Sequence, residues 1–342
     1  MLRKFAIGFL LIWPHMAALA ADKVSVGTVG NSSDAAFFIA ADKGYFAAEQ
    51  LDVAFVPFDN AGRMMAPLGT ADLDIGAGTA IAGLYNAGAR GIGIKVVADR
   101  SRMRQGYLFQ SFVVRKAVID SGRFKSWSDL KGLKVALLSN AGSPASALNE
   151  AAKLGKVKLA DIDLTILQFP QQVPAFANGA IDASIMVEPF TTQVLSQGTA
   201  VRFSSTEDFV PSDQIGMVFY ADKFAREHRD IGQRFMKAYI RAVRAYNDAI
   251  KDGRFSAGAK GNEIVAILAR NLKVSDAQIR ATWPQAIDPD GRVNRESLQR
   301  VLDFFKQYDQ VSDKSVTVDS VLDMSFVEQA LKDLGPYQPQ PD

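Results

Sequence analysis

From Val24 onward the chain alternates short apolar runs with helical stretches, and this alternation restricts the fold more than any other feature of the sequence. Apolar runs begin near Val24, Asp52, Leu73 and Ile94, and residues 35–46, 62–68 and 79–87 between them carry helical patterns. Strands alternating with helices give parallel βα units, whose right-handed crossovers build an open sheet. The first unit is the clearest. Residues 24–29 read as a strand, 30–34 as a polar loop, and Phe37, Phe38, Ile39, Ala41 and Tyr45 as the apolar face of a helix that Gly44 ends in the left-handed conformation. At the carboxyl end of such a strand, loop amides and hydroxyls face the space where open α/β sheets bind ligands.

After Gln105 and Gly106 the pattern restarts. Residues 111–115, 134–138, 164–167 and 182–187 read as strands, and 145–154 and 173–177 as helices. Ser143 ahead of Pro144 is a helix-start signal, since the hydroxyl caps free amides while proline presets φ at the first helical position. Thr79 reads as the N-cap of the helix over 79–87 in the same way. Two quartets, Gly69-Thr-Ala-Asp72 and Gly179-Ala-Ile-Asp182, each close a helix and open a strand, an echo that suggests two similar halves. Beyond a strand at 217–220 the chain turns helical. Ile231, Phe235, Tyr239, Ala242, Val243, Tyr246 and Ile250 recur at spacings of three and four, giving one buried face, and capping boxes at Ser275 with Gln278 and Ser325 with Glu328 start later helices.

The first residues carry a different signal. Arg3 and Lys4 precede an apolar run over 5–13, and Ala18-Leu-Ala20 supplies small residues where a signal peptidase reads, so residues 1–20 are expected to be a secretory signal peptide cut after Ala20. Removing Arg3 and Lys4 from 39 basic residues leaves 37 against 37 acidic, a formal net charge of zero, which gives no support to a nucleic-acid or membrane-surface partner. Cysteine is absent, which excludes disulfides, thiolate chemistry and a lipid-modified cysteine anchor. Of the two histidines, His15 falls in the expected signal peptide and His228 in a charged helix start, a poor setting for a catalytic base. Gly76-Ala-Gly78 lacks the third glycine of a dinucleotide loop, and no P-loop, zinc-helix or calcium-loop pattern occurs. No cofactor is expected.

What remains is a set of small polar residues at strand ends: Asn31, Ser32, Ser33, Asn60, Gly78, Thr79, Ser101, Ser139, Asn140 and Ser143. Singly each is ordinary turn chemistry; their recurrence at the same edge of both half-sheets makes them candidate ligand contacts. Thr79 and Ser143 at helix starts suit a carboxylate, a sulfonate or a similar group, with Arg63, Arg102 and Arg104 as possible charge partners. Glu188 follows the apolar strand directly and precedes Pro189, so it sits at the sheet edge, placed either to accept from a ligand N–H or O–H or to form a hinge salt bridge. Phe37, Phe38, Phe58 and Phe190 flank these loops, where they wall an apolar ligand or pack the core.

Four segments carry a family resemblance. Ala40-Ala-Asp-Lys-Gly44-Tyr-Phe46, Gly69-Thr-Ala-Asp-Leu-Asp-Ile-Gly76, Trp127-Ser-Asp-Leu-Lys-Gly-Leu-Lys-Val-Ala136 and Asp182-Ala-Ser-Ile-Met-Val-Glu-Pro-Phe190 resemble the solute-binding proteins of ABC importers, in the branch that takes aliphatic sulfonates, taurine, nitrate and thiamine pyrimidines. The resemblance implies a type II periplasmic binding protein: two α/β lobes, each an open and mostly parallel sheet flanked by helices, joined by a two-strand hinge. Lobe 1 would comprise residues 21–106 and 223–342, and lobe 2 residues 107–222. It implies a periplasmic monomer that closes on one small molecule and delivers it to a membrane permease with its ATPase, without catalysis. Carried over, the pocket takes Asn31 to Ser33, Gly78, Thr79, Ser139 to Ser143 and Glu188. The absence of an arginine in those loops departs from the sulfonate and nitrate pattern and favours an organic acid with an apolar body, or a heterocycle. Two other readings share the fold: a ligand sensor for a membrane receptor, and an enzyme similar to the thiamine-pyrimidine synthases, which use a pyridoxal cofactor and a histidine.

Overall fold

A computed structural model describes residues 20–90, 92–140 and 142–340. The expected signal peptide therefore lies, but for Ala20, outside the described residues. Ten strands form two sheets of five. The first holds β1 (Asp22–Thr28), β2 (Leu51–Pro57), β3 (Ile75–Gly78), β4 (Ile94–Arg102) and β10 (Gln214–Ala221) in the order β2-β1-β3-β10-β4. The second holds β5 (Gln110–Arg115), β6 (Lys134–Leu137), β7 (Asp163–Ile166), β8 (Ala183–Val187) and β9 (Ala200–Ser205) in the order β7-β6-β8-β5-β9. A short hairpin, β11 (Ile250–Lys251) and β12 (Arg254–Phe255), stands apart.

The two sheets are built alike. In the first, β1 pairs parallel with β2 and β3, while β10 runs antiparallel between β3 and β4. In the second, β6 pairs parallel with β7 and β8, while β5 runs antiparallel between β8 and β9. Each lobe thus takes its one antiparallel strand just after the chain has crossed from the other lobe. The chain crosses twice, over residues 103–109 and 206–213. This corrects the expected lobe 2 of residues 107–222: β10, buried along its whole length, belongs to the first sheet, where it pairs with Gly78 and Arg102. An apolar run alone does not say which sheet it completes.

The quartet echo is real but offset by two residues. Val26 pairs with Ile75 and Val135 with Ala183, which makes Asp74, not Asp72, the counterpart of Asp182, and Leu73 the counterpart of Ile181. Asp74 accepts from the Ser25 amide and hydroxyl at 2.8 Å each, and Asp182 accepts from the Lys134 amide at 3.3 Å, so the two aspartates tie the starts of the parallel pairs β1–β3 and β6–β8 together.

Helices cover both sheets. Helix Ala35–Asp42 ends before Gly44, whose φ of +67° is the left-handed conformation expected of it. The long helix Arg229–Asp248 lays Phe235 and Tyr239 onto Phe37 and Phe46, with ring centroids 4.9 Å apart for Phe46 and Phe235 and 5.4 Å for Phe37 and Tyr239. Each such buried ring contributes about 1.5–3 kcal/mol, so the C-terminal part of the chain closes the core that the first βα unit opens. Of the expected capping boxes, the one at Ser275 and Gln278 forms, whereas Ser325 already lies inside its helix and bonds Asp323 instead. No helix of the described residues is long and apolar enough to cross a membrane.

Candidate functional site

The carboxyl ends of β1, β3, β4, β6 and β8 face the boundary between the lobes, and the side chains they carry make up the candidate site. In the first lobe, Asn31 caps the short turn Ser32–Asp34 by accepting from the Ser33 amide at 2.9 Å. Ser32 is half-buried with its hydroxyl unpartnered, and Ser33 is buried. Asp34, fully buried, fills the anion cradle that this loop makes: it accepts from the amides of Val29 and Gly30 at 2.9 and 2.8 Å and from Arg100 at 2.6 Å. Asn60 caps helix Ala61–Thr70 by accepting from the Arg63 amide at 3.3 Å. Gly78 is a packing glycine, because a Cβ there would fall on that of Ala61 at the start of the same helix. Ser101 is wholly buried at the end of β4, its hydroxyl unpartnered.

Thr79 and Ser143 are not the helix caps expected of them. The helix after Thr79 begins only at Ala82, with Ile81 in the cap position, because residues 79–81 form no helical turn and Ile81 is still extended at φ −127° and ψ 156°. Ser143 is itself the first helical residue, following Gly142, and its hydroxyl donates to Asp213 rather than to its own helix. The two residues instead meet. The Ser143 amide reaches the Thr79 hydroxyl at 3.5 Å, and Gly142 lies against Thr79 and Ala80, so the lobes touch where the two anion positions were anticipated. Asp213 also accepts from Ser297 at 2.8 Å and Arg300 at 3.2 Å, which ties the second lobe's helix, a crossing segment and the first lobe together. Beside this contact, Ser139 is half-buried, and Asn140 is exposed with its carbonyl accepting from Gln310 at 3.1 Å.

Glu188 is 1% exposed, at the end of β8. It accepts from the Thr192 amide at 3.1 Å and faces Arg202 at 3.5 Å. Burial pushes its carboxyl above the ordinary range, opposed by those Thr192 contacts and by Arg202 and Arg254. Sequence reasoning missed both arginines, which lie outside the pocket loops. Arg202 comes from β9; Arg254 comes from the hairpin of the other lobe, its guanidinium 3.4 Å above the Trp283 ring centroid. Of the arginines that were anticipated, Arg102 holds Asp99 at 2.8 Å, while Arg63 and Arg104 are exposed. Phe37 and Phe38 are core residues, and Phe190 stacks on Phe169 with centroids 5.5 Å apart.

Two cavities lie elsewhere. One of about 440 Å³ runs between helices Ser143–Leu154 and Arg295–Gln307, and one of about 590 Å³ lies on the first lobe beside Met65, Gly69, Asn86 and Ile92. Neither is lined by an expected site residue, so the lobe boundary is a candidate site by the convergence of its polar groups rather than by volume. His228 is exposed, and among the described residues no three His, Asp or Glu side chains gather as a metal site.

Two mixed α/β sheets of this order, crossed twice by the chain and in contact along their carboxyl edges, define the two-lobed fold of periplasmic binding proteins. The chain belongs to the NMT1/THI5-like family, whose model matches residues 31–252. It is 25% identical over 213 residues to a Bacillus subtilis (strain 168) protein assigned to aliphatic sulfonate binding; the match covers 60% of this chain and 59% of that relative's length. Among solved structures, the aliphatic sulphonate binding protein SsuA of Escherichia coli superposes with a TM-score of 0.68 at 19% identity, over 95% of this chain and 94% of that one. The nitrate-binding protein NrtA of Synechocystis PCC 6803 gives 0.72 at 14%, over 93% and 92%. The desulfurization enzyme DSZB gives 0.60 at 15%, over 92% and 99%. The same fold therefore serves binding and catalysis, and function has to be argued from the site.

Proposed function

We propose that the protein is the extracytoplasmic solute-binding component of an ABC importer, working as a monomer that captures a small organic anion or heterocycle between its lobes and presents it to a membrane permease. The observation that carries this reading is the direct meeting of the two lobes at Thr79 and Ser143, beside strand ends rich in hydroxyl and amide groups. A ligand touching both lobes stabilises the closed arrangement by its differential affinity, and a permease can read that arrangement. Among the described residues no histidine is placed to activate Ser143: its hydroxyl donates to Asp213, and His228 is exposed outside the site, which favours binding over a serine–histidine hydrolase. The relative assigned to sulfonates supports the ligand class, as the nitrate-binding neighbour supports small anions.

Thermal-shift screening against alkanesulfonates, aromatic carboxylates, nitrate and pyrimidines tests the reading, since a ligand at 100 times its Kd adds about 2.7 kcal/mol to stability. Titration calorimetry of a hit should give one site per chain and an unchanged ligand afterwards. Thr79→Ala should weaken that binding about fivefold, the worth of one hydrogen bond near 1 kcal/mol. Conversion of the ligand, or unchanged affinity in Thr79→Ala, overturns it.

A further inference from the structure

We propose that the hydrogen bond between Asn149 and Tyr308 is a latch, set apart from the ligand loops, that holds the lobes together with no solute bound and thereby scales the affinity for every ligand alike. The proposal rests on the reading of the two lobes as a pair that closes on a solute, and it adds what governs closure when none is present. Helix Ser143–Leu154 of the second lobe and helix Arg295–Gln307 of the first carry it.

The bonds that join the lobes along these helices fall into two groups. At the strand-end loops, the Ser143 hydroxyl donates to Asp213, which Ser297 and Arg300 hold from the first lobe, and the Ser143 amide faces Thr79 at 3.5 Å. Gln310 reaches the Asn140 carbonyl at 3.1 Å. Thr79, Asn140 and Ser143 are candidate ligand contacts, so a solute entering between the lobes competes for them. The second group is the Tyr308 hydroxyl, which donates to Asn149 Oδ1 at 2.9 Å. Asn149 stands six residues beyond Ser143, about 9 Å along the helix axis, and Tyr308 caps the carboxyl end of helix Arg295–Gln307. Neither belongs to a strand-end loop. A solute that takes over the first group therefore leaves this bond in place.

Both residues are set for the contact. The Tyr308 ring packs on Phe304 with centroids 4.9 Å apart, which fixes the direction of its hydroxyl. Asn149 is 3% exposed; its Nδ2 has no partner, and its Oδ1 accepts from the other lobe. The contact is also light enough to open. The cavity of about 440 Å³ between the two helices is lined by Lys153, Gln299 and Gln307 among others, so side-chain bonds rather than continuous apolar packing join them. When the lobes part, Tyr308 and Asn149 both return to water, and one such bond then shifts the closed-to-open ratio by about fivefold. A ligand that binds the closed form alone has its dissociation constant divided by the closed fraction, whatever its chemistry.

The sequence contains no cysteine, so two introduced cysteines report lobe separation without background. β2 and β7 lie farthest from the crossing segments in the two sheet orders, and the exposed Asp59 and Gln171 stand just beyond their carboxyl ends. Spin labels on Asp59→Cys and Gln171→Cys, read by double electron–electron resonance on the ligand-free full chain, should give a mainly short distance. Tyr308→Phe keeps the ring on Phe304 and should lower the closed-to-open ratio about fivefold with little change in melting temperature. Asn149→Ala should do the same, and the double variant should lose no more than either single one, because both remove one bond. In titration calorimetry with methanesulfonate, benzoate, nitrate and uracil as probes, each probe that binds should weaken in Tyr308→Phe by the factor by which the closed fraction falls. A mainly long distance in the unmutated latch, an unchanged distance in Tyr308→Phe, additive losses in the double variant, or a loss confined to one probe overturns the latch. If the distances respond as expected and none of the four probes binds, the latch stands and the solute-binding reading loses its support.

Discussion

Replacing Asp34 by alanine strikes the best-connected carboxylate at the lobe boundary. Its side chain is 0% exposed and that of its partner Arg100 is 5% exposed, 2.6 Å away. The substitution strands three donors at once: the Arg100 guanidinium and the amides of Val29 and Gly30. An uncompensated buried cation costs about 3–5 kcal/mol, and an orphaned buried amide about 1–3 kcal/mol. These overlap, because the Gly30 loop is half-buried and can turn its amides to water, so the expected loss is about 4 kcal/mol. Arg100→Leu alone should also destabilise by leaving the carboxylate unpaired, while the double variant should recover about 2–3 kcal/mol of the summed losses. Urea unfolding followed by fluorescence measures this, and it can be read lobe by lobe: Trp283 packs against the first lobe's hairpin and Trp127 against Phe203 and Phe209 in the second. The Trp283 transition should move, and the Trp127 transition should move less. A loss below about 1 kcal/mol, or strict additivity in the double variant, refutes the account of Asp34 as the resident anion of that cradle.

Gly78→Ala should cost about 1–3 kcal/mol by forcing helix Ala61–Thr70 off β3, seen as a lower urea midpoint with an unchanged slope. Ser143→Ala removes the donor that joins the second lobe to Asp213 and should cost about 1 kcal/mol, and small-angle scattering should show a more open mean separation of the lobes. Burial works against the Asp182 carboxylate, but Arg115 at 2.8 Å, the Lys134 amide and the half-exposed Arg123 outweigh it, so its pKa is lowered. The stability it contributes is therefore present above the ordinary aspartate range near 3.9 and lost as pH falls through the lowered folded value. Asp182→Asn should be less stable than wild type at neutral pH by about 1–2 kcal/mol, with the two denaturation midpoints converging in acid. Glu188 has the opposite sign: its raised pKa makes the folded state bind the proton more tightly, so stability falls as pH rises through that value, and Glu188→Gln should flatten this slope.

The alternation that begins at Val24 carried most of the fold, because period and turn chemistry are local properties and nine of the ten sheet strands follow from them, all but β9. What it could not carry was the destination of β10, since a fully buried strand looks the same in either sheet. The offset of the quartet echo has a similar origin: Asp72 and Asp74 stand two apart, and only pairing register tells which of them faces Ser25. At the candidate site, the loop residues could be named because Asn, Ser and Thr recur at strand ends, but Asn31 and Asn60 turn out to cap their own turn and helix, a local use the sequence does not distinguish from ligand contact. Thr79 and Ser143 were placed at the right edge and given the wrong local role, because capping signals do not record competition from another lobe. Arg254 was not singled out, because it lies far in sequence from the strand-end loops. A signal for the hairpin did exist: Asp252 and Gly253, with φ of +52° and +71°, make the tight turn that an Asp-Gly pair announces, and the second strand of that hairpin sets Arg254 on Trp283.

The exchange of antiparallel strands makes the two lobes unequal in how they can be assembled. All five strands of the second sheet lie between Gln110 and Ser205, so that stretch holds every partner its edges need. The first sheet has no such independence. Until Gln214–Ala221 emerges, β3 and β4 have no strand between them, and until Arg229–Asp248 emerges, Phe37 and Phe46 have no aromatic cover. The chain therefore finishes its middle before its beginning, and a nascent or truncated chain that stops within the second lobe presents open strand edges to any neighbouring copy.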